Sequence, residues 1–96
     1  MDRQLWMAVI DLLSEIPDLN VAAAEPFADL DRIIHLHWSG RSEYFVLTGQ
    51  ECRLVVELVA FIPGQGWRSW KQLYVDLGDP DCWEKVVEFL EVGRSR

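Results

Sequence analysis

Residues 33–61 read IIHLHWSGRSEYFVLTGQECRLVVELVAF, and the spacing of apolar residues in this stretch decides the fold. Ile34, Leu36 and Trp38 fall on one side of an extended chain, and Ile33, His35 and His37 on the other. That period of two is the signature of a strand. Ser39-Gly40-Arg41-Ser42 supplies a turn, Tyr44 to Thr48 a second alternating run, and Gly49-Gln50-Glu51 a second turn. Cys52 to Phe61 is the longest run and is apolar on both sides, which predicts a central strand. Connections of a few residues make neighbouring strands antiparallel.

Toward the C-terminus, Pro63-Gly64-Gln65-Gly66 breaks the third run, and Trp70 to Leu77 forms a fourth, with Leu73, Val75 and Leu77 on one side. Gly78-Asp79-Pro80 then opens a helix. Asp79 is suited to cap it, because a carboxylate accepts the free N–H groups of a first turn. Pro80 falls at the first helical position, where its missing N–H costs nothing. Asp81 and Glu84 place negative charge at the positive end of the helix dipole. Trp83, Val86, Val87 and Leu90 form the stripe to be buried. Gly93 reads as the C-terminal stop, with Arg94 and Arg96 at the favourable end.

Toward the N-terminus the period lengthens. Leu5, Val9, Leu12, Leu13 and Ile16 follow helical spacing from about Asp2 to Ile16, and Trp6 and Ile10 widen the stripe. Only Gln4, Asp11 and Glu15 keep a polar strip, so the helix needs cover on more than one side, from the following loop or from a second subunit. Pro17 ends it. Residues 19–32 admit two readings. Leu19-Asn20-Val21 makes a short edge strand, or Pro26 after Glu25 opens a helical turn through Leu30; Ala22 to Ala24 fit either. The expected fold is α+β: an N-terminal helix, a four-stranded antiparallel sheet and a C-terminal helix, with both helices packed on one sheet face.

Ninety-six residues make one domain, 1–96. A chain of that length buries roughly 60–65% of its unfolded surface. Half of the residues are hydrophobic and five are Trp, a composition that builds a core and excludes disorder. The formal charge of -7 argues against nucleic acid as a partner, because polyanions repel. The charge is also unevenly placed. Six acids and no base lie between Asp11 and Asp31, and six acids against Lys85 alone between Asp76 and Glu91. Arg32 to Val75 carries five bases against three acids. Acidic helices on one side and a nearly neutral sheet on the other are the expected geometry. Cys52 and Cys82 show no paired spacing, which fits free thiols in a reducing compartment. No signal layout or membrane-length apolar run is present, so a cytoplasmic location is expected.

The uniformly apolar alternate set runs from Ile34 through Phe45, Cys52, Leu58 and Ala60 to Leu77, and it is assigned to the helices. The other set mixes aromatic, aliphatic and charged side chains. On it, Tyr44, Trp70 and Tyr74, with Arg53 and the valines between them, would form a patch of the size and type that binds partners. The bland alternative is an ordinary solvated face. The segment Pro63 to Ser69 is a second candidate: two glycines give it freedom, and Trp67 with Arg68 gives it an interface composition. Trp67 capping the core is the alternative. The acidic run Glu84, Glu88 and Glu91 is a third, suited to steering a basic protein partner.

Chemistry is sparse. His35 and His37 have metal-ligand spacing on one side of a strand; a site needs a third and a fourth ligand, with Glu57 or Arg53 nearby and Cys52 on the other face, and two histidines on an open strand face are more often merely exposed. Cys82 sits where a helix dipole favours thiolate, but Asp79, Asp81 and Glu84 oppose it, so no reactive nucleophile is expected. Cys52 reads as core. No phosphate-cradling glycine loop or nucleophile elbow is present, and no cofactor is implied. A helix, several strands and then Val55-Val56-Glu57-Leu58-Val59 resemble the core of restriction-endonuclease-like nucleases, which place Glu, one residue, then Lys on a central strand. Glu57 matches, and Val59 stands where the Lys belongs. The resemblance implies an inactive relative and gives no support to an active nuclease.

The leading expectation is therefore a non-catalytic protein-binding module. Small acidic inhibitors, immunity proteins and anti-defence proteins of bacteria and phages share this profile as a class. A homo-oligomeric accessory subunit, and a small metal- or ligand-binding domain using the open face (His35, His37, Tyr44, Glu57), are the rivals.

Overall fold

The computed structural model describes residues 2–23 and 32–94. Its elements are α1 (Arg3–Ser14), β1 (Leu19–Ala23), β2 (Arg32–Trp38), β3 (Tyr44–Gly49), β4 (Arg53–Ile62), β5 (Gly66–Asp76) and α2 (Cys82–Arg94). The strands form one antiparallel meander in chain order. The α+β class and the flanking helices hold. The sheet has five strands rather than four, because Leu19–Ala23 pairs along β2, with Leu19 opposite Trp38 and Ala23 opposite Ile34. The helical turn read at Pro26–Leu30 lies outside the described residues.

Asp2 caps α1 by accepting the Gln4 N–H at 3.1 Å. Trp6, Val9 and Leu13 face the sheet and are buried. The helix ends at Ser14, whose hydroxyl donates to the Ile10 carbonyl at 2.8 Å and competes with the helical ladder there. Asp18, with φ of 67°, then reverses the chain into β1. Leu5, Met7 and Leu12 remain exposed, so the described residues cover only the centre of the wide apolar arc.

The helix-facing side of the sheet holds the core. Ile34, Leu36, Trp38, Phe45, Leu47, Leu54, Val56 and Leu58 are essentially inaccessible, and Val86 and Leu90 of α2 pack against them. Each such side chain contributes about 1.5–3 kcal/mol. The Trp38 indole Nε1 donates to the Leu90 carbonyl at 2.9 Å, so this buried polar atom is satisfied. Phe45 meets Phe89 edge to face, 6.0 Å between centroids. At the end of α2 the Arg94 guanidinium lies 4.6 Å over the Trp38 ring and reaches the Asp18 carboxylate at 3.2 Å, while Arg41 donates to the Arg94 carbonyl.

Four local expectations are corrected. Cys52 lies in the turn before β4 and is exposed, because β4 begins at Arg53; it is not core. β5 begins at Gly66, so Trp67 and Arg68 belong to a strand and the connection is only the tight turn at residues 63–65. Gly64 and Gly66, with φ of 83° and 81°, allow that tight turn. Regular α-helix starts at Cys82, after a turn in which the Asp79 carboxylate accepts the Asp81 N–H at 2.9 Å, so Pro80 precedes the helix. Gly93 lies within α2 and is there for space. A Cβ on it would sit 2.3 Å from Phe45 Cζ.

Candidate functional site

The sheet face turned away from the helices is built in cross-strand rows. One row places His35, Val46, Glu57 and Gln72 side by side on β2 to β5. The next carries Tyr44 opposite Val59, and Val59 opposite Ser69. Beyond it Phe61 lies opposite Trp67. On the other side of the Glu57 row, Val55 is opposite Thr48 and Tyr74, and Arg53 is opposite Asp76.

A bulge in β5 decides which aromatics share this face. Leu58 pairs with Lys71, but Val59 pairs with Ser69, so Trp70 is an extra residue. A one-residue slip sends every side chain beyond it to the opposite face. Trp70 therefore leaves the open face. It lines a groove of about 330 Å³ with Glu43, Leu58 and Ala60 on the helix-facing side, correcting its expected place beside Tyr44 and Tyr74. Arg68, opposite Ala60, goes with it. Trp67 moves the other way, onto the open face, where it is 57% exposed; it is neither in a mobile loop nor capping the core.

The aromatics that remain form one continuous chain of ring contacts. His37 stacks on Tyr44 at 4.6 Å and 22°, and its Nε2 meets the Arg41 carbonyl. Tyr44 and Trp67 meet edge to face, 5.5 Å apart at 82°. Trp67 then meets Phe61 at 5.6 Å and 65°. His35, Tyr44, Val46, Val59 and Trp67 enclose a pocket of about 320 Å³. Sequence reasoning missed Phe61 as part of this site. The alternation Arg53, Val55, Glu57, Val59 continues to it and is the signal that points there.

Tyr74 and Arg53 are a separate pair at the far end. The Arg53 guanidinium lies 5.4 Å over the Tyr74 ring and donates to Gln50 Oε1, and the Tyr74 hydroxyl donates to Gln72 Oε1 at 3.0 Å. Between the two ends stands Glu57. It is half-buried and makes no hydrogen bond or ion pair among the described residues.

Glu84, Glu88 and Glu91 are exposed on α2, behind the sheet, and do not join the aromatic cluster. Glu88 borders a second groove, about 300 Å³, between α2 and the β4–β5 pair, along with Leu58, Lys71 and Phe89. Lys85 pairs with Asp79, which lowers the Asp79 pKa and raises that of Lys85. Cys82 has its thiol pKa raised, first by burial and then by the Asp79 and Asp76 charges.

His35 and His37 do not converge on a common ligand set. The His37 ring is engaged by Tyr44 and Arg41, and Glu57 is two strands away from His35. Among the described residues, no group of three or more His, Cys, Asp or Glu gathers where a metal could be held. Glu57 belongs to no such group among the described residues. No helix among them is long and apolar enough to cross a membrane. No protein-family model, curated protein or solved structure matches the chain.

Proposed function

We propose that the chain is a protein-binding module that docks the open sheet face, centred on Trp67, against a partner protein. The observation that carries this reading is the ring chain His37–Tyr44–Trp67–Phe61, in which Phe61 and Trp67 are each 57% exposed though packed against each other on a rigid antiparallel frame. Clustered, pre-positioned aromatics are what interface hot spots are made of, and large exposed aromatics on a monomer surface mark contact sites. The net charge of -7, with Glu84, Glu88 and Glu91 exposed on the opposite side, adds steering toward a basic partner. An inhibitor, immunity or anti-defence role is the form of docking that suits a small acidic fold with an exposed aromatic face.

The test compares partner capture from the native host by the wild-type chain, a Phe61→Ser/Trp67→Ala variant and a Glu84→Gln/Glu88→Gln/Glu91→Gln variant. A specific partner held by wild type is expected to lose at least ~2 kcal/mol of affinity with the aromatic pair removed. The charge variant is expected to slow association mainly. Equal capture by all three would sink the docking reading.

Leu5 and Leu12, one heptad apart on α1 and each more than two-fifths exposed, favour a second reading in which two copies pack α1 together. A single-chain mass by light scattering at high concentration would remove it.

A further inference from the structure

We infer that the pocket beside Trp67 receives one arginine side chain of a basic partner, its guanidinium in the corner between the Tyr44 and Trp67 rings and its N–H groups on the Glu57 carboxylate. This rests on the docking reading and specifies the chemistry at its centre.

The pocket volume of about 320 Å³ is at the small end for ligand sites, which suits a single long side chain rather than a helix or strand. Val46 and Val59 line it together with the rings, apolar surface of the kind that arginine methylenes cover. Two rings at 82° make a concave corner, so a cation seated there meets ring faces on two sides. Glu57 neighbours two of these lining residues in the sheet. It is directly opposite Val46 across the β3–β4 pair and two residues before Val59 on the same face, which puts its Cβ about 5 Å from that of Val46.

Glu57 is also half-buried and without a partner among the described residues. A half-buried carboxylate flanked by Val46, Val55 and Val59 is stabilised by an incoming cation more than one in open water. The nearest base along β4, Arg53, is occupied by Tyr74 and Gln50. The fold already places guanidinium groups over aromatic rings in two places, Arg53 on Tyr74 and Arg94 on Trp38. Arginine fits better than lysine because its planar fork stacks on a ring while bonding a carboxylate, whereas an ammonium is a compact, strongly hydrated point charge.

The measurement is an NMR titration with N-acetyl-arginine-amide, followed at the Trp67 indole N–H and the Val46 and Val59 amides. N-acetyl-lysine-amide and N-acetyl-leucine-amide are run in parallel. Saturable shifts confined to these resonances are expected with the arginine probe, weaker ones with the lysine probe and none with the leucine probe. Glu57→Gln, which keeps the side-chain shape, should weaken the arginine affinity about fivefold, and Trp67→Ala should weaken it at least comparably. Urea midpoints check that both variants remain folded.

Equal response to the arginine and lysine probes, or an unchanged titration in Glu57→Gln, overturns the assignment. The docking reading fails separately. If the pocket titrates as expected but the Phe61/Trp67 pair is dispensable for partner capture, the pocket stands and docking through this face does not.

Discussion

Gly93→Ala is the perturbation in which two physical effects oppose each other most cleanly. Helix propensity alone favours alanine, by up to ~1 kcal/mol in a helix interior and less one residue from the end of α2. The packing says the reverse. The new methyl would lie 2.3 Å from Phe45 Cζ and 2.9 Å from Cε1, where ordinary carbon contacts begin near 3.5 Å. Relief requires a displacement of about 1 Å. The Phe45 ring is 1% exposed and held by Phe89, so it cannot swing out. Moving α2 instead disturbs the Trp38 bond to Leu90 and the Arg94 contacts at the same end. Overpacking of this kind costs about 1–3 kcal/mol, which exceeds the propensity gain. Net destabilisation of about 1–2 kcal/mol is expected, a fall in Tm of roughly 4–8 °C per kcal/mol for a domain of this size. Urea unfolding of wild type, Gly93→Ala, Phe45→Leu and the double variant measures it. Removing the ring end should rescue the alanine, with a coupling energy of about 1 kcal/mol. If Gly93→Ala is more stable than wild type, the glycine serves the helix end and the packing argument is wrong.

Trp38→Phe removes the donor to the Leu90 carbonyl and leaves a gap under α2, so a loss of about 1–3 kcal/mol is expected from urea unfolding; a near-neutral result would mean that the bond is replaceable. The lowered Asp79 pKa means this carboxylate adds stability above the ordinary aspartate value, lost as pH falls through its lower folded value. The raised Lys85 pKa adds stability that is full below the ordinary lysine value and lost as pH rises through the higher folded one. Lys85 is exposed and Asp79 only partly covered, so Lys85→Met is expected to flatten the acid limb of the stability profile only slightly, and less so in high salt. Iodoacetamide near neutral pH should label exposed Cys52 before Cys82, whose thiolate is disfavoured by burial and by Asp79 and Asp76; peptide mass mapping showing Cys82 first would contradict that electrostatic reading.

Much of this fold is legible in the residues because period and punctuation agree. Ile34-Leu36-Trp38 and Leu54-Val56-Leu58 alternate without interruption, and they are the buried faces of β2 and β4. The fifth strand is legible only as a short edge strand at Leu19-Asn20-Val21, with Ala22 to Ala24 open to a helical reading as well, since five residues carry little periodic signal. The site was legible only in part. Tyr44 and Tyr74 sit on the open face as alternation predicts, because no irregularity intervenes between them and the strands they pair with. Trp70 leaves the open face and Trp67 joins it, and the bulge at Trp70 carries no glycine or proline to announce either. Strict alternation counted back from Leu77 must then misplace everything before Lys71. Glycine is common at a helix stop, which is how the sequence presents Gly93, and only the position of Phe45, forty-eight residues earlier, reveals the other reason for it.

The same bulge bears on how the chain behaves in a crowd. β5 is an outer strand of eleven residues, long enough to recruit a neighbouring chain through its unpaired backbone groups. The extra residue at Trp70 breaks the run of evenly spaced N–H and C=O groups near its middle, and Lys71 beside it directs a charge to the helix side of the sheet. Both are known defences against edge-to-edge aggregation. Deleting Trp70 would restore regular pairing and flatten this edge. The variant should keep its helices and strands by circular dichroism while losing solubility. The residue that strict alternation places in the binding patch would then be, in its actual position, a guard against fibre formation.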